Sequence, residues 1–178
     1  PQIKGLNEDT NITILSPEEQ KARMEKAARE GARELGVPVP FVEGVQEGME
    51  LLFLRNYGGA RSHFIGLEDR FPGTAVASVG QILIWQALML ENFDFKYDKQ
   101  YQVSLKAALK ELKRAQKVAG SEGWEQLLFA GVIGVDAIHS MRKEKYIQAL
   151  SRAFEAMEHI SAAKKAAPAK KAKKVVAK

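Results

Sequence analysis

The chain has 178 residues, 46% of them hydrophobic and 28% charged, and no cysteine. That is enough for one domain with a buried core, and it rules out disulfides, thiolate catalysis and cysteine-held metals. The formal charge of +5 is unevenly placed: seven of the 27 basic residues fall in residues 161–178, which hold no acid, while the other 20 face 22 acids in residues 1–160. The body is therefore slightly acidic and the end strongly basic, the asymmetry of an interaction tail.

Residues 1–15 are polar with scattered apolar residues (Ile3, Leu6, Ile12, Ile14 and Leu15) and read as an extended N-terminal arm. Residues 16–35 carry a full set of helix signals. Ser16 stands at the N-cap with Glu19 three residues on, Pro17 is in the first turn, and Gly36 and Pro38 form the stop. The inner face of this helix is mostly alanine, so it should pack thinly. A second helix over 40–56 repeats Phe41, Val45, Met49 and Leu52 at helical spacing, with Gly44 and Gly48 open to close approach. Residues 57–73, punctuated by Gly58, Gly59, Gly66, Pro72 and Gly73, read as an irregular connection.

The stretch 77–93 is apolar on nearly every face, the mark of a central buried helix. Its surrounding apolar run, 75–90, is interrupted by Gly80, Gln81 and Gln86 and is shorter than the roughly 20 residues of a membrane span. Residues 98–120 form an amphipathic helix with Asp98 as cap, Gly120 as stop and Tyr101, Leu105, Ala108 and Leu112 inward. Helices over 121–143, capped by Ser121, and 144–162 follow, although residues 130–135 alone could also be a strand. The last places Ile147, Leu150, Phe154, Met157 and Ile160 on one face. The fold expected is all-α: a bundle of about six helices over residues 16–160, with the arm before it and a flexible Lys/Ala-rich tail, 161–178, after it. Trp85, Tyr101, Trp124, Phe129 and Phe154 lie on apolar stripes and are expected in the core.

No reaction is signalled. Arg55, Arg61, His63 and Arg70 flank glycines that could let an anion approach backbone N–H groups. However, no phosphate-loop or dinucleotide motif accompanies them, and salt bridges within a loop account for them as well. Ser62, His63 and Asp69 lack the elbow of a hydrolase, and neighbours in sequence do not make a triad. Asp136 with His139, and Glu155 with His159, share helical faces and read as surface carboxylate–histidine contacts without the HExxH pattern of a metal site. No catalytic residue, metal or cofactor is expected. A helix-turn-helix around residues 36–40 is disfavoured because Glu43, Glu47 and Glu50 would repel phosphates.

The basic end is the clearest functional signal. Lys164, Lys165, Lys170, Lys171, Lys173, Lys174 and Lys178 stand among Ala and Pro, too small to build a core and suited to a polyanion, whose counterions each bound lysine releases. Pro168 should break any helix entering this segment. The segment holds no arginine for bidentate readout and no large apolar anchor for a membrane. Its composition resembles the Lys/Ala/Pro-rich tails of linker-histone-like and bacterial nucleoid-associated proteins. The resemblance implies DNA or RNA as partner and covers only these 18 residues. The function expected is non-specific nucleic-acid binding through the tail, in the cytoplasm or nucleoid, with the helical domain serving self-association or a protein partner. The competing expectation is an assembly subunit, such as a phage virion or DNA-packaging component.

Overall fold

The computed structural model describes residues 16–115 and 122–175, with side chains described at 16–114 and 123–166. Seven helices account for these residues, without strands: α1 (Pro17–Leu35), α2 (Val39–Phe53), α3 (Tyr57–Arg70), α4 (Val76–Glu91), α5 (Asp98–Ala115), α6 (Glu122–Arg142) and α7 (Tyr146–Val175). Consecutive helices pack as neighbours and α1 also reaches α6 and α7, while α4 touches α2, α3, α5 and α6. None of the described helices is long and apolar enough to cross a membrane. The arm (1–15), Ser121 and Gly120 lie outside the described residues.

The seventh helix is α3, which replaces the irregular segment expected over 57–73. Glycine lowers helix propensity by about 1 kcal/mol relative to alanine, but Gly58 and Gly66 face open space and the other side of the helix buries Ala60, Phe64 and Leu67. Tertiary burial outweighs propensity. Asn56 starts the helix by accepting the Gly59 N–H at 3.0 Å. The preceding stop has no glycine. Arg55 takes φ 60°, and its neighbours close the chain reversal with Asn56 N–H to Leu51 O at 2.9 Å and Arg55 N–H to Leu52 O at 3.0 Å.

Phe64 is the keystone between α2, α3 and α4. A Cβ on Gly48 would stand 2.5 Å from its ring, and a Cβ on Gly80 would overlap it still more. Gly44 similarly accommodates Leu67. The close approach anticipated at Gly44 and Gly48 is therefore made by side chains of α3. Helix α4 is buried through Val76, Val79, Ile82, Ile84 and Met89, as a central helix should be. Its N-terminus has no capping side chain of its own. Glu68 of α3 takes that role, accepting the N–H groups of Gly73, Ala75 and Ala77 at 3.0–3.3 Å and the Thr74 hydroxyl at 3.2 Å.

The α1 signals read in sequence are all present. Ser16 and Glu19 form a reciprocal capping box, Gly36 closes the helix at φ 69°, and only Ala28 and Ala32 are fully buried. Helix α5 turns Tyr101, Leu105, Ala108 and Leu112 inward.

Helix α7 corrects two expectations. First, it does not end near residue 160 but runs through Pro168 to Val175. The alanine-rich sequence is among the best helix formers, and the cost of Pro168 is one lost hydrogen bond to the carbonyl of Lys164 plus ring crowding. Second, the stripe of Ile147, Leu150, Phe154, Met157 and Ile160 is not in the core. These side chains are exposed, Ile147 by 89% and Phe154 by 59%, and α7 instead packs on α6 through Ala156 and Ala163. Of the aromatic residues expected inside, Tyr101, Trp124 and Phe129 are buried and Trp85 is half-buried. Phe154 is outside.

Candidate functional site

The basic end of the chain is the last three turns of α7, continuous with a helix seated on the body. Lys164 and Lys165 are exposed, and Lys170, Lys171, Lys173 and Lys174 lie on the same helical backbone. At 1.5 Å per residue, six lysines from Lys164 to Lys174 occupy about 15 Å of helix axis. Duplex DNA carries one phosphate charge per ~1.7 Å of axis, so a polyanion laid along this helix meets a comparable density of opposite charge. Lys178 lies outside the described residues.

The candidate anion contacts of residues 55–70 do not converge. Arg55 Nε is bonded to Glu91 Oε1 at 2.7 Å. His63 Nε2 lies 2.6 Å from the Gly44 carbonyl and 3.9 Å from Glu47. Arg70 Nε donates to Gly66 O at 3.4 Å and lines a cleft with Arg114, Glu68, Glu111 and Glu125, where the carboxylates outnumber the guanidiniums. Arg61, on the other face of α3, borders a shallow depression with Lys99, Gln81 and Gln100.

A buried polar network joins α5, α6 and α7, and it replaces the surface contacts expected for the histidines. His139, 1% exposed, gives its Nε2–H to Asp98 Oδ1 at 2.7 Å. Lys143 Nζ reaches Asp98 Oδ2 at 2.6 Å. The imidazole is stacked against Tyr101 with centroids 4.2 Å apart, and the edge of the Phe95 ring closes the other side. Burial holds the His139 pKa below its ordinary 6.5, against the opposing pull of Asp98. For Asp98, burial pushes upward, but the hydrogen bonds and charges of Lys143 and His139 together outweigh it and hold the carboxyl low. At neutral pH the cluster is therefore an Asp98–Lys143 ion pair with a neutral imidazole donating to it. Burial, and then Asp136, push Tyr101 upward.

Asp136, paired in expectation with His139, instead binds Arg152 Nε at 3.0 Å, and Glu155 takes Arg152 Nη1 at 2.7 Å. His159 Nδ1 meets Gln126 Oε1 at 2.6 Å while its ring stacks on Phe129. These contacts lock the α6–α7 hairpin in register. The free nitrogen of His139, Nδ1, is enclosed and without a partner, so no substrate reaches it to exchange a proton. The arrangement positions helices.

An apolar cavity of about 200 Å³ lies between α2, α4 and α6, lined by Met49, Phe64, Gly80, Trp124, Leu128 and Val135 among others, all apolar. Ligand sites add a few convergent polar groups to such a lining, and this cavity has none. Among the described residues no three His, Asp or Glu side chains are grouped to hold a metal ion. The chain matches no protein-family model, no curated protein and no solved structure in the comparisons made with each.

Sequence reasoning missed the Asp98–His139–Lys143 cluster because its members are 41 and 45 residues apart. The one signal was Asp98 itself, expected as the cap of α5; it is instead the first residue of that helix, and its carboxylate is turned to His139 and Lys143.

Proposed function

We propose that this protein is a non-enzymatic nucleic-acid-associated protein that binds DNA or RNA with little sequence specificity through the basic end of α7. The observation that carries the reading is the placement of an acid-free lysine run on a helix anchored to the body by Ala156 and Ala163. The body itself is slightly acidic, so electrostatic attraction to phosphate is concentrated at one end of the molecule. Lysine supplies charge without the fixed fork of arginine, which favours affinity over base readout. The cytoplasm or nucleoid is the setting this reading requires.

The test is binding of the full chain to duplex DNA and to single-stranded RNA across a salt series, beside a variant with all seven tail lysines changed to Gln. The parent should weaken steeply with salt, with a log–log slope approaching about −6 if all seven engage. The variant should lose most of the affinity. Equal, salt-insensitive binding by both forms would sink the reading.

A second reading, an assembly subunit such as a virion or DNA-packaging component, is favoured by a different observation: the outward apolar stripe of α7. In that setting the lysine-bearing turns would lie against the packaged genome.

A further inference from the structure

Helices α1 and α5 both present charge to solvent, but they arrange it differently. On α1 the signs are interleaved, and Glu25 and Arg29, one turn apart, stand 3.9 Å from each other. On α5 they are segregated. At 3.6 residues per turn, Lys99, Lys106, Lys110 and Lys113 fall within about 40° of one direction, with Val103 among them, and all of these are exposed. Both carboxylates of α5 are turned elsewhere: Asp98 is held by His139 and Lys143, and Glu111 accepts the Ser78 hydroxyl. Within the helix no acid stands three or four residues from any of these lysines. Lys106 and Lys110 are instead four apart, and Lys110 and Lys113 three apart, spacings at which like charges oppose each other. None of the four lysines has an ion-pair or hydrogen-bond partner among the described residues, whereas Arg55, Lys143 and Arg152 are each engaged by a carboxylate.

At its Lys99 end the stripe opens into a depression of about 480 Å³, lined also by Arg61 of α3, Gln81 and Trp85 of α4, and Gln100. No carboxylate lines it. Its two cations and two amides are donors of the kind that meet phosphate oxygens. Trp85 is held in place, its indole N–H bonded to the Ser104 hydroxyl at 3.2 Å and its ring stacked on Tyr97. The face thus offers charge and donors without a free aromatic ring on which bases could stack.

We infer that this face is a second nucleic-acid contact, on the body of the protein, in which Arg61, Lys99, Lys106, Lys110 and Lys113 seat the phosphate backbone of a duplex. The stripe is straight and covers about 21 Å of helix axis, the span of about six phosphates along one strand. Val103 alone gives no anchor for a membrane. Phosphate neutralises the like-charge neighbours that the bare helix leaves opposed. The C-terminal end of α5 also lies where the tail leaves the body. Glu111 and Arg114 line a cleft with Gly36 and Glu125, and a Cβ on Gly123 would stand 3.7 Å from Leu35 O and 3.9 Å from Ala163 O. Lys113 and Lys164 are therefore at the same end of the bundle, an arrangement in which two weak contacts reinforce each other on one ligand. The ligand class rests on the function proposed above; the site is separate from the tail, and either can fail alone.

The experiment is fluorescence anisotropy of a labelled DNA duplex with the full chain across a salt series, with circular dichroism as the folding control. One variant changes Arg61, Lys99, Lys106, Lys110 and Lys113 to Gln; it should weaken binding about tenfold or more and flatten the log–log salt slope by about 3 to 4. A control removes the same charge from α1, changing Lys21, Arg23, Lys26, Arg29 and Arg33 to Gln, all exposed, and should shift binding less than about threefold. The variant lacking the seven tail lysines should keep a residual salt-dependent affinity that the combined variant loses. On the unmodified chain, saturating duplex should protect Lys99, Lys106, Lys110 and Lys113 from acetylation and leave Lys21 and Lys26 reactive. An unchanged α5 variant beside a tail variant that loses binding overturns this inference and leaves the tail reading standing; the reverse result overturns the tail reading alone. An equal loss in the α1 control, or no protection of the four lysines, overturns the inference. So does an α5 variant that loses binding to phosphatidylserine vesicles and keeps binding to duplex, which would assign the face to a membrane surface.

Discussion

Helices α5 and α7 carry the same amphipathic pattern and meet opposite fates. Tyr101, Leu105, Ala108 and Leu112 recur by four, three and four and are buried; Ile147, Leu150, Phe154, Met157 and Ile160 recur almost identically and are exposed. What separates them is the other side of each helix. The reverse of α5 is lysine and glutamate, so only one face can be buried. The reverse of α7 offers Ala156 and Ala163, with Arg152 and His159 finding buried partners on α6. Small residues and satisfied polar groups permit a close helix–helix contact that larger side chains would hold apart. Periodicity thus finds an apolar face without saying whether the same chain covers it.

The contrast can be broken most sharply at Phe64 and Phe154. Phe64→Ala empties the junction of α2, α3 and α4 and should cost about 3–5 kcal/mol in urea unfolding. Phe154→Ala, measured at concentrations where the chain is monomeric, should cost no more than about 0.5 kcal/mol. A large loss at Phe154 in a monomer would mean that the α7 stripe is covered by its own chain.

Gly80→Ala forces a methyl group into the Phe64 ring and should destabilise by about 1–3 kcal/mol. Gly131→Ala meets nothing within 4 Å; replacing a helical glycine there should stabilise the monomer by a few tenths to about 1 kcal/mol. Glu68→Ala removes the shared acceptor at the start of α4 and should lower stability by about 1–3 kcal/mol. The paired control is Asp69→Ala, on the exposed side of α3, which should change little. Both comparisons are read from thermal and urea midpoints.

The α5–α6 contact should also respond to pH. His139 is held below its ordinary pKa, so the unfolded chain binds its proton more readily than the folded one. Its contribution is complete above the unfolded value of about 6.5 and is lost as pH falls toward the folded value. Asp98, also lowered, extends that loss below its ordinary 3.8. The urea midpoint should therefore fall between pH 7 and 5, and His139→Gln should flatten that part of the curve. A small effect of opposite sign is expected at Phe93, 88% exposed yet held at φ 50° after α4. Phe93→Gly should raise stability by about 0.5–1 kcal/mol, the relief of a left-handed backbone offset by glycine's added freedom when unfolded.

Six of the seven helices were legible in sequence: α1 through its cap and stop at Ser16, Glu19 and Gly36, α4 through unbroken apolarity, and the others mainly through 3.6-residue periodicity. Helix α3 was not, for two physical reasons. Its glycines sit on the solvent side, where they cost propensity without breaking the helix. The stop before it is made by Arg55 in a conformation that glycine normally signals. The same device recurs at Phe93 and Glu144, so glycine alone underestimates where helices end. At the candidate site, the lysines were evident from composition, but their helical backbone was not, since Pro168 argued for a break that the surrounding alanines override. The network around Asp98 and the outward stripe of α7 depend on which helices meet, and no local pattern reports that.

The account turns on the same periodicity being inside in α5 and outside in α7. Single cysteines at Leu105 and Phe154, in an otherwise cysteine-free chain, can be challenged with a maleimide under native conditions over a series of protein concentrations. At the lowest concentration the thiol at 154 should react at the rate of a free thiol. The thiol at 105 should react only on unfolding at every concentration. Protection at 154 equal to that at 105, and independent of concentration, would contradict the account.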